Sequence, residues 1–293
     1  MNRKFAPVAV AVALAACSGN PLNNVTTTGN AGVGNTVSGS FTDSGITTSG
    51  DAAPRVSYNS DTDTLQVNNM PFDGNGRYTR DGAVPTMNGF RVYANTNTSE
   101  RRDYQALYGA SPSGGARAVI VRTGDYRGYG FGGFIFERDM RASLPSSGSA
   151  TYSGNYAGMR TFDGSSGLTY TRGDLELEVD FLDFTNQRAT MEGFISNREE
   201  YDTAGNYLGD LPVMVLATAY ADGSGAFESD VTTHRINPTT TLEELDSQGK
   251  YYGVIAGPDA DELVGIVVVQ GDFPNDPTGL TFQEAGAFFG TRN

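Results

Sequence analysis

The chain has 293 residues with 34 Asp and Glu against 20 Lys and Arg, a formal net charge of -14. A phosphate-binding surface needs clustered cations, so this balance excludes nucleic acid and anionic membrane surfaces as partners. One Cys and one His exclude, by count, a disulfide scaffold and a Cys/His zinc site, whereas 16 Phe, 15 Tyr, 38 Gly and no Trp point to a β-rich body.

Arg3 and Lys4 precede an apolar stretch from Phe5 to Ala16, the length of a signal-peptide core and too short to span a bilayer. The lone Cys17 follows Leu14-Ala15-Ala16 and resembles the lipobox of bacterial lipoproteins; the alternative is an ordinary secretory signal with an incidental Cys. The resemblance implies cleavage of residues 1–16 and acylation of Cys17, since one acyl chain holds a membrane marginally and three hold it stably. Ser18, with no Asp in its place, favours the outer membrane. Without residues 1–16 the net charge becomes -16 and Lys250 is the one lysine left.

Residues 17–50 are rich in Asn, Thr, Gly and Ser. They bury too little apolar area to offset their ordering entropy, so a flexible tether is expected there. Residues 51–147 read as a smaller β-rich domain. Arg55-Val56-Ser57-Tyr58 and Thr64-Leu65-Gln66-Val67 flank Asn59–Asp63 as a hairpin. Gly89–Tyr93 and Ala118–Val121 are further strands, followed by the glycine-aromatic strand Tyr126–Phe136. Short helices are expected around Ser99–Leu107 and Leu242–Leu245. The stretch Leu144–Ser149 marks a boundary.

Residues 148–293 hold eight strand candidates at close spacing: Ala150–Phe162, Leu168–Phe184, Ala189–Asn197, Leu211–Ala221, Gly225–Thr233, Lys250–Gly257, Glu262–Gly271 and Leu280–Gly290. Pro212 stands at the start of the fourth, where a missing donor is tolerated. In the second, Leu175, Leu177, Val179 and Phe181 alternate with Asp174, Glu176, Glu178 and Asp180, which describes a strand with one buried and one wet face. Eight antiparallel strands suit a closed barrel, which removes exposed edges and either fills itself or holds one small ligand.

The run from Gly249 to Gly265, with Tyr251-Tyr252-Gly253, Gly257-Pro258 and Glu262 to Gly265, resembles the characteristic hairpin of transferrin-binding protein B-like barrels. Ala150-Thr151-Tyr152-Ser153-Gly154 resembles that family's opening strand, Val179-Asp180-Phe181 a later one, and Ala285 to Gly290 its closing strand. The resemblance covers residues 148–293; Val254-Ile255-Ala256 is an insertion against the family pattern. It implies an all-β fold in which a C-terminal eight-stranded antiparallel β-barrel is preceded by a smaller β-rich handle-like domain. It also implies a lipid-anchored surface receptor. Family members capture host iron proteins or complement regulators through variable loops, so no ligand-binding residue transfers to this chain.

Other residue sets point to bland roles. His234 has Asp230 four residues before it, but no Gly-x-Ser-x-Gly elbow accompanies them, so a satisfied strand-end histidine is expected. Same-face carboxylates from Asp174 to Asp180 stand roughly 6.6 Å apart along a strand. Lacking an apolar pocket to raise a pKa, they are expected on the solvated exterior. Asp61 and Asp63 lack the remaining ligands of a calcium loop and read as an Asx turn. Gly128, Gly130 and Gly133 fit G-x-G-x-x-G without a following helix, which rejects nucleotide binding and leaves aromatic packing or an aromatic ligand platform. The expected function is that of a non-enzymatic outer-membrane lipoprotein, without metal or cofactor, that binds a protein partner or nutrient through barrel and handle loops. The alternatives are a lipocalin-like small-ligand carrier and an envelope-structural lipoprotein.

Overall fold

The computed structural model describes residues 36–42, 45–48, 55–68, 74–95, 103–124, 128–182, 184, 187–237, 239–272 and 281–293. Every regular element among them is a strand. The first sheet comprises β1 (Thr36–Thr42), β2 (Gly45–Thr48), β3 (Arg55–Asn59), β4 (Thr64–Asn68), β5 (Arg77–Arg80), β6 (Thr86–Met87), β7 (Phe90–Asn95), β8 (Tyr104–Ala110), β9 (Ala116–Arg122) and β10 (Gly132–Arg138). Its order is β2-β1-β10-β9-β8-β7-β5-β4-β3, with β6 paired to β7.

The second sheet comprises β11 (Gly148–Phe162), β12 (Leu168–Phe181), β13 (Ala189–Tyr201), β14 (Tyr207–Leu211), β15 (Met214–Ala221), β16 (Ala226–Ile236), β17 (Glu243–Ala256), β18 (Glu262–Asp272) and β19 (Thr281–Arg292). It runs β12-β11-β19-β18-β17-β16-β15-β13-β14, and a further β12–β13 pairing closes all but β14 into an antiparallel eight-stranded barrel. The all-β class and the C-terminal barrel agree with the sequence pattern. In β12 the alternation holds residue by residue: Leu175, Leu177, Val179 and Phe181 are buried, while Asp174, Glu178 and Asp180 are exposed.

Two layers of side chains hold the molecule together. Inside the barrel, Tyr152, Tyr156, Leu177, Ile195, Met214, Tyr251, Val267, Phe282 and Phe288 form one cluster at 0 % exposure. The outer faces of β11, β18 and β19 contribute Met159, Val264, Ile266, Val268, Ala287 and Phe289 to a second cluster, shared with Val92, Leu107, Ile120 and Phe134 of the first sheet. The handle-like sheet and the barrel thus share one core. A third cluster, rich in tyrosine, lies on the opposite face of the first sheet.

Polar contacts seal the same junction. Asn88 Nδ2 donates to the Tyr156 and Gly173 carbonyls at 3.1 and 2.6 Å. It does so from a tight turn in which Asn88 and Gly89 both adopt positive φ, 45° and 86°, the geometry of a two-residue hairpin loop. The Ser113 N–H and hydroxyl donate to the two Glu262 oxygens at 3.0 and 2.7 Å. Arg138 donates to the Ile255 and Ser224 carbonyls.

Four local expectations are corrected. The helix around Ser99–Leu107 is overturned over its described part, where β8 begins at Tyr104. Tyr104, Ala106, Leu107 and Tyr108 are all buried because both faces of β8 are covered, which erases the period-two signal. The helix at Leu242–Leu245 is instead the start of β17, held by its ladder to β16. Thr36–Thr42 and Gly45–Thr48, placed by composition in the tether, are strands; β1 pairs along β10, so a neighbouring edge supplies the order that its own residues lack. The run Leu211–Ala221 is two strands interrupted at Pro212 and Val213, because proline has no N–H for the ladder; β14 follows β15 along the same edge of β13.

Gly109 of β8 lies where a Cβ would stand 2.5 Å from the Phe289 ring and 2.6 Å from the Phe90 ring, whereas nothing lies within 4 Å of a Cβ at Gly82. Overpacking of this kind costs about 1–3 kcal/mol. Gly109→Ala is therefore expected to lower the urea midpoint and Gly82→Ala to leave it within error; equal midpoints would show that the Phe90–Phe289 junction does not set stability.

Candidate functional site

A barrel of eight strands has a lumen wide enough for one small ligand or for its own side chains. One end is apolar. At the other, Glu284 of β19, at 0 % exposure, collects donors from three strands. Arg198 Nη2 donates at 2.6 and 2.7 Å, Arg160 Nε at 2.8 Å, and the Tyr156 and Thr171 hydroxyls each at 2.8 Å. Glu200 extends the cluster, 3.6 Å from Arg160 and accepting from the Thr169 hydroxyl. Burial pushes the Glu284 carboxyl up, but the Arg198 and Arg160 guanidiniums and their hydrogen bonds outweigh it and hold the group well below the usual carboxylate range. Burial, reinforced by Glu284, pushes the Tyr156 phenol well above its ordinary value. Glu284 is a buried carboxylate held in its ionised form by two guanidiniums, which suits a structural charge cluster and not proton transfer near neutral pH.

The residues singled out in the sequence do not converge. His234 is exposed near the end of β16, its Nδ1 3.7 Å from Glu243, while Asp230 pairs with Lys250 Nζ at 3.2 Å. The histidine and the aspartate thus face separate partners. The row Asp174, Glu176, Glu178 and Asp180 lies on the barrel exterior, where Asp174 accepts from Asn197 Nδ2 at 2.9 Å. Asn59 caps the β3–β4 turn by accepting the Asp61 and Thr62 N–H groups. Asp63 accepts from the Tyr93 and Tyr58 hydroxyls at 2.6 and 3.1 Å and pairs with Arg80 at 2.9 Å. Its oxygens thus bind the first sheet together; burial pushes its carboxyl up, and these donors with Arg80 and Arg91 bring it down further.

Gly128 and Gly130 form a positive-φ turn ahead of β10, and Phe134 and Phe136 are buried in the shared core. Within the glycine-aromatic run itself, Tyr129 shares a hydrogen bond with Thr281 Oγ1 at 2.6 Å and Phe131 packs against the tyrosine-rich cluster, both half-buried. Cys17 lies outside the described residues.

Sequence reasoning missed the Glu284 cluster, in which Arg160, Arg198 and Glu284 lie 38 to 124 residues apart along the chain and show no local motif. It also missed two surface arrangements. On the first sheet, Arg91 donates to the Tyr58 hydroxyl at 2.6 Å and lies over the stacked Tyr58 and Tyr108 rings. On the barrel wall away from that sheet, Phe194 of β13, Val215 and Tyr220 of β15, and Val213 beside them are exposed. The signal for the second was legible: Val213 to Tyr220 reads VMVLATAY, apolar at both parities where a wet strand should alternate.

Glu284→Gln leaves the buried Arg198 guanidinium without its carboxylate and Arg160 with the more distant Glu200, and is expected to cost about 3–5 kcal/mol at neutral pH. Because the folded carboxyl titrates below its ordinary value of 4.5, its contribution is complete above that pH and is lost as pH falls toward the folded value. Urea melts should show the gap between wild type and Glu284→Gln narrowing below pH 4.5; a constant gap would overturn the ionised assignment.

No protein-family model and no curated protein matches the chain. Among solved structures it is similar to a point mutant of transferrin-binding protein B from Haemophilus parasuis Hp5, with a TM-score of 0.43 and 11% identity over 88% of this chain and 45% of that one. It is similar to isotype 1 transferrin-binding protein B from serogroup B Neisseria meningitidis, with a TM-score of 0.37 and 12% identity over 88% of this chain and 43% of that one. A structure titled surface lipoprotein matches with a TM-score of 0.34 and 14% identity, over 64% of this chain and 80% of that one. The chain spans less than half the length of both transferrin-binding protein B structures.

Proposed function

We propose that this chain is a non-enzymatic, lipid-anchored outer-membrane lipoprotein that binds a protein partner or nutrient through the outer surfaces and loops of its barrel and handle-like sheet, with Cys17 as the acylated residue. The packed lumen carries this reading. Tyr152, Tyr156, Arg198, Tyr251 and Phe288 are buried, so no water-sized space touches these lumen side chains among the described residues, which supports recognition by the outside. This favours surface binding over a lipocalin-like carrier. Arg3, Lys4, the apolar run to Ala16 and Leu14-Ala15-Ala16-Cys17 support the anchor. The separation of His234 from Asp230 and the sealing of Glu284 support a binding role over catalysis.

Cys17→Ser is expected to move the chain from the membrane fraction to the soluble fraction, because the acyl chains that would hold it are lost. Protease treatment of intact cells should cleave the wild-type body, with lysed cells as control. Protection until lysis would sink the surface reading, and an unchanged membrane fraction for Cys17→Ser would sink the anchor. An immobilised wild-type chain that retains no protein or small molecule from the medium would sink the binding role.

A further inference from the structure

The barrel wall formed by β15, β16, the Ala189–Asn197 part of β13 and the Asp174–Phe181 part of β12 lies away from the first sheet, which packs on β11, β17, β18, β19 and the Leu168–Gly173 part of β12. A solvated sheet face ordinarily carries polar side chains. Here a ridge of Val213, Val215 and Tyr220, with Phe194 beside it, stands 45 %, 50 %, 54 % and 39 % exposed. Phe194 and Val215 are direct cross-strand neighbours, as are Thr190 and Tyr220. The ridge follows one strand for about 23 Å, longer than a small ligand.

Both flanks of the ridge are acidic. Asp174, Glu176, Glu178 and Asp180 on β12 and Glu192 on β13 line one side; Glu228 and Asp230 on β16 line the other. Glu178 and Glu192 are directly paired across the β12–β13 ladder, a like-charge juxtaposition that destabilises a sheet. Glu192 is held by the Thr218 hydroxyl at 2.8 Å, which supplies no positive charge. Lys250 bears on Asp230 alone at 3.2 Å. Across residues 148–293 there are 23 Asp and Glu against 7 Lys and Arg, and two of those cations, Arg160 and Arg198, are buried around Glu284.

We infer that this wall is the docking surface for a cationic polypeptide partner, whose apolar side chains cover the Phe194–Val215–Tyr220 ridge while its Lys or Arg side chains meet Glu176, Glu178 and Glu192 on one flank and Glu228 and Asp230 on the other. An apolar centre with a charged rim is the anatomy of a partner surface. The rim excludes the other occupants by sign: an anionic membrane and nucleic acid are repelled, and a second copy would set its own acidic barrel against this one. A cationic partner also relieves the Glu178–Glu192 repulsion, which no ion pair among the described residues offsets. This inference rests on the binding role proposed above and names its surface and partner chemistry.

The test uses the full mature chain in detergent and two labelled nine-residue probes, one alternating Lys with Val and one alternating Glu with Val, read by fluorescence anisotropy. The cationic probe is expected to bind, to weaken as salt is raised from 50 to 300 mM, and to lose about tenfold or more in affinity with Val215→Glu. Glu192→Gln should weaken the probe while leaving the melting temperature equal or higher, a combination that a merely structural role would not give. No binding of the cationic probe, equal binding of the anionic one, or wild-type affinity in both variants would overturn the proposal. If a natural partner is retained equally by wild type and Val215→Glu, the binding role stands and this wall is not its seat; if wild type retains nothing, the binding role itself fails.

Discussion

Strands β18 and β19 bury both of their faces, one against the barrel lumen and one against the first sheet, and the rest of the molecule is arranged around that double burial. A barrel wall bearing Val264, Ile266, Val268, Ala287 and Phe289 on its outside cannot stand in water. The first sheet is its cover, and that sheet in turn presents Val92, Leu107, Ile120 and Phe134 to the same core. Two bodies that share a core of this kind move as one, because separating them would expose apolar area at about 25 cal/mol per Å². The contacts from Asn88, Ser113 and Arg138 fix the angle between them. Surfaces on the handle-like sheet and on the far barrel wall are therefore held in a constant relation, which suits recognition by preformed surfaces.

The lumen follows a different logic. Its apolar end is ordinary core, but at its other end Glu284, Arg160 and Arg198 form a desolvated ion cluster. Such a cluster gains little over well-packed apolar residues, and losing one member is costly. Its geometry joins β11, β13 and β19, strands whose order in the ring is set by closure and not by adjacency in sequence. The same packing leaves Tyr152, Tyr156, Tyr251 and Phe288 in the lumen without exposed surface, whereas strand β15 carries apolar side chains outward.

What could be read from the residues depended on how many faces of a strand are wet. Asp174 to Phe181 alternates because one face is solvated, and its strand and burial were legible from the sequence alone. Tyr104 to Ala110 has both faces covered, so its periodicity vanished and a helix was inferred. Thr36 to Thr42 carries no strand signal of its own because its order comes from the backbone of β10, a tertiary effect outside any local window. Asn88-Gly89 was legible and overlooked: this dipeptide is among the strongest hairpin signals, and it marks the β6–β7 turn that docks on the barrel. The Glu284 cluster was not legible, since residues 160, 198 and 284 meet only after the ring has closed.

Closure itself sets a timetable. β11 pairs with β12, its neighbour in sequence, and also with β19, whose partner residues lie more than a hundred positions later. A chain delivered from its N-terminus can assemble the ladders of the first sheet early, yet the apolar face of that sheet has no cover until β18 and β19 arrive. Long-range pairing of this kind is slow, and surface left open during it is prone to aggregation. Throughout this interval the half-built protein presents Leu107, Ile120 and Phe134 to its surroundings. The junction that makes the finished molecule rigid thus leaves the unfinished one open to aggregation until the closing strands arrive.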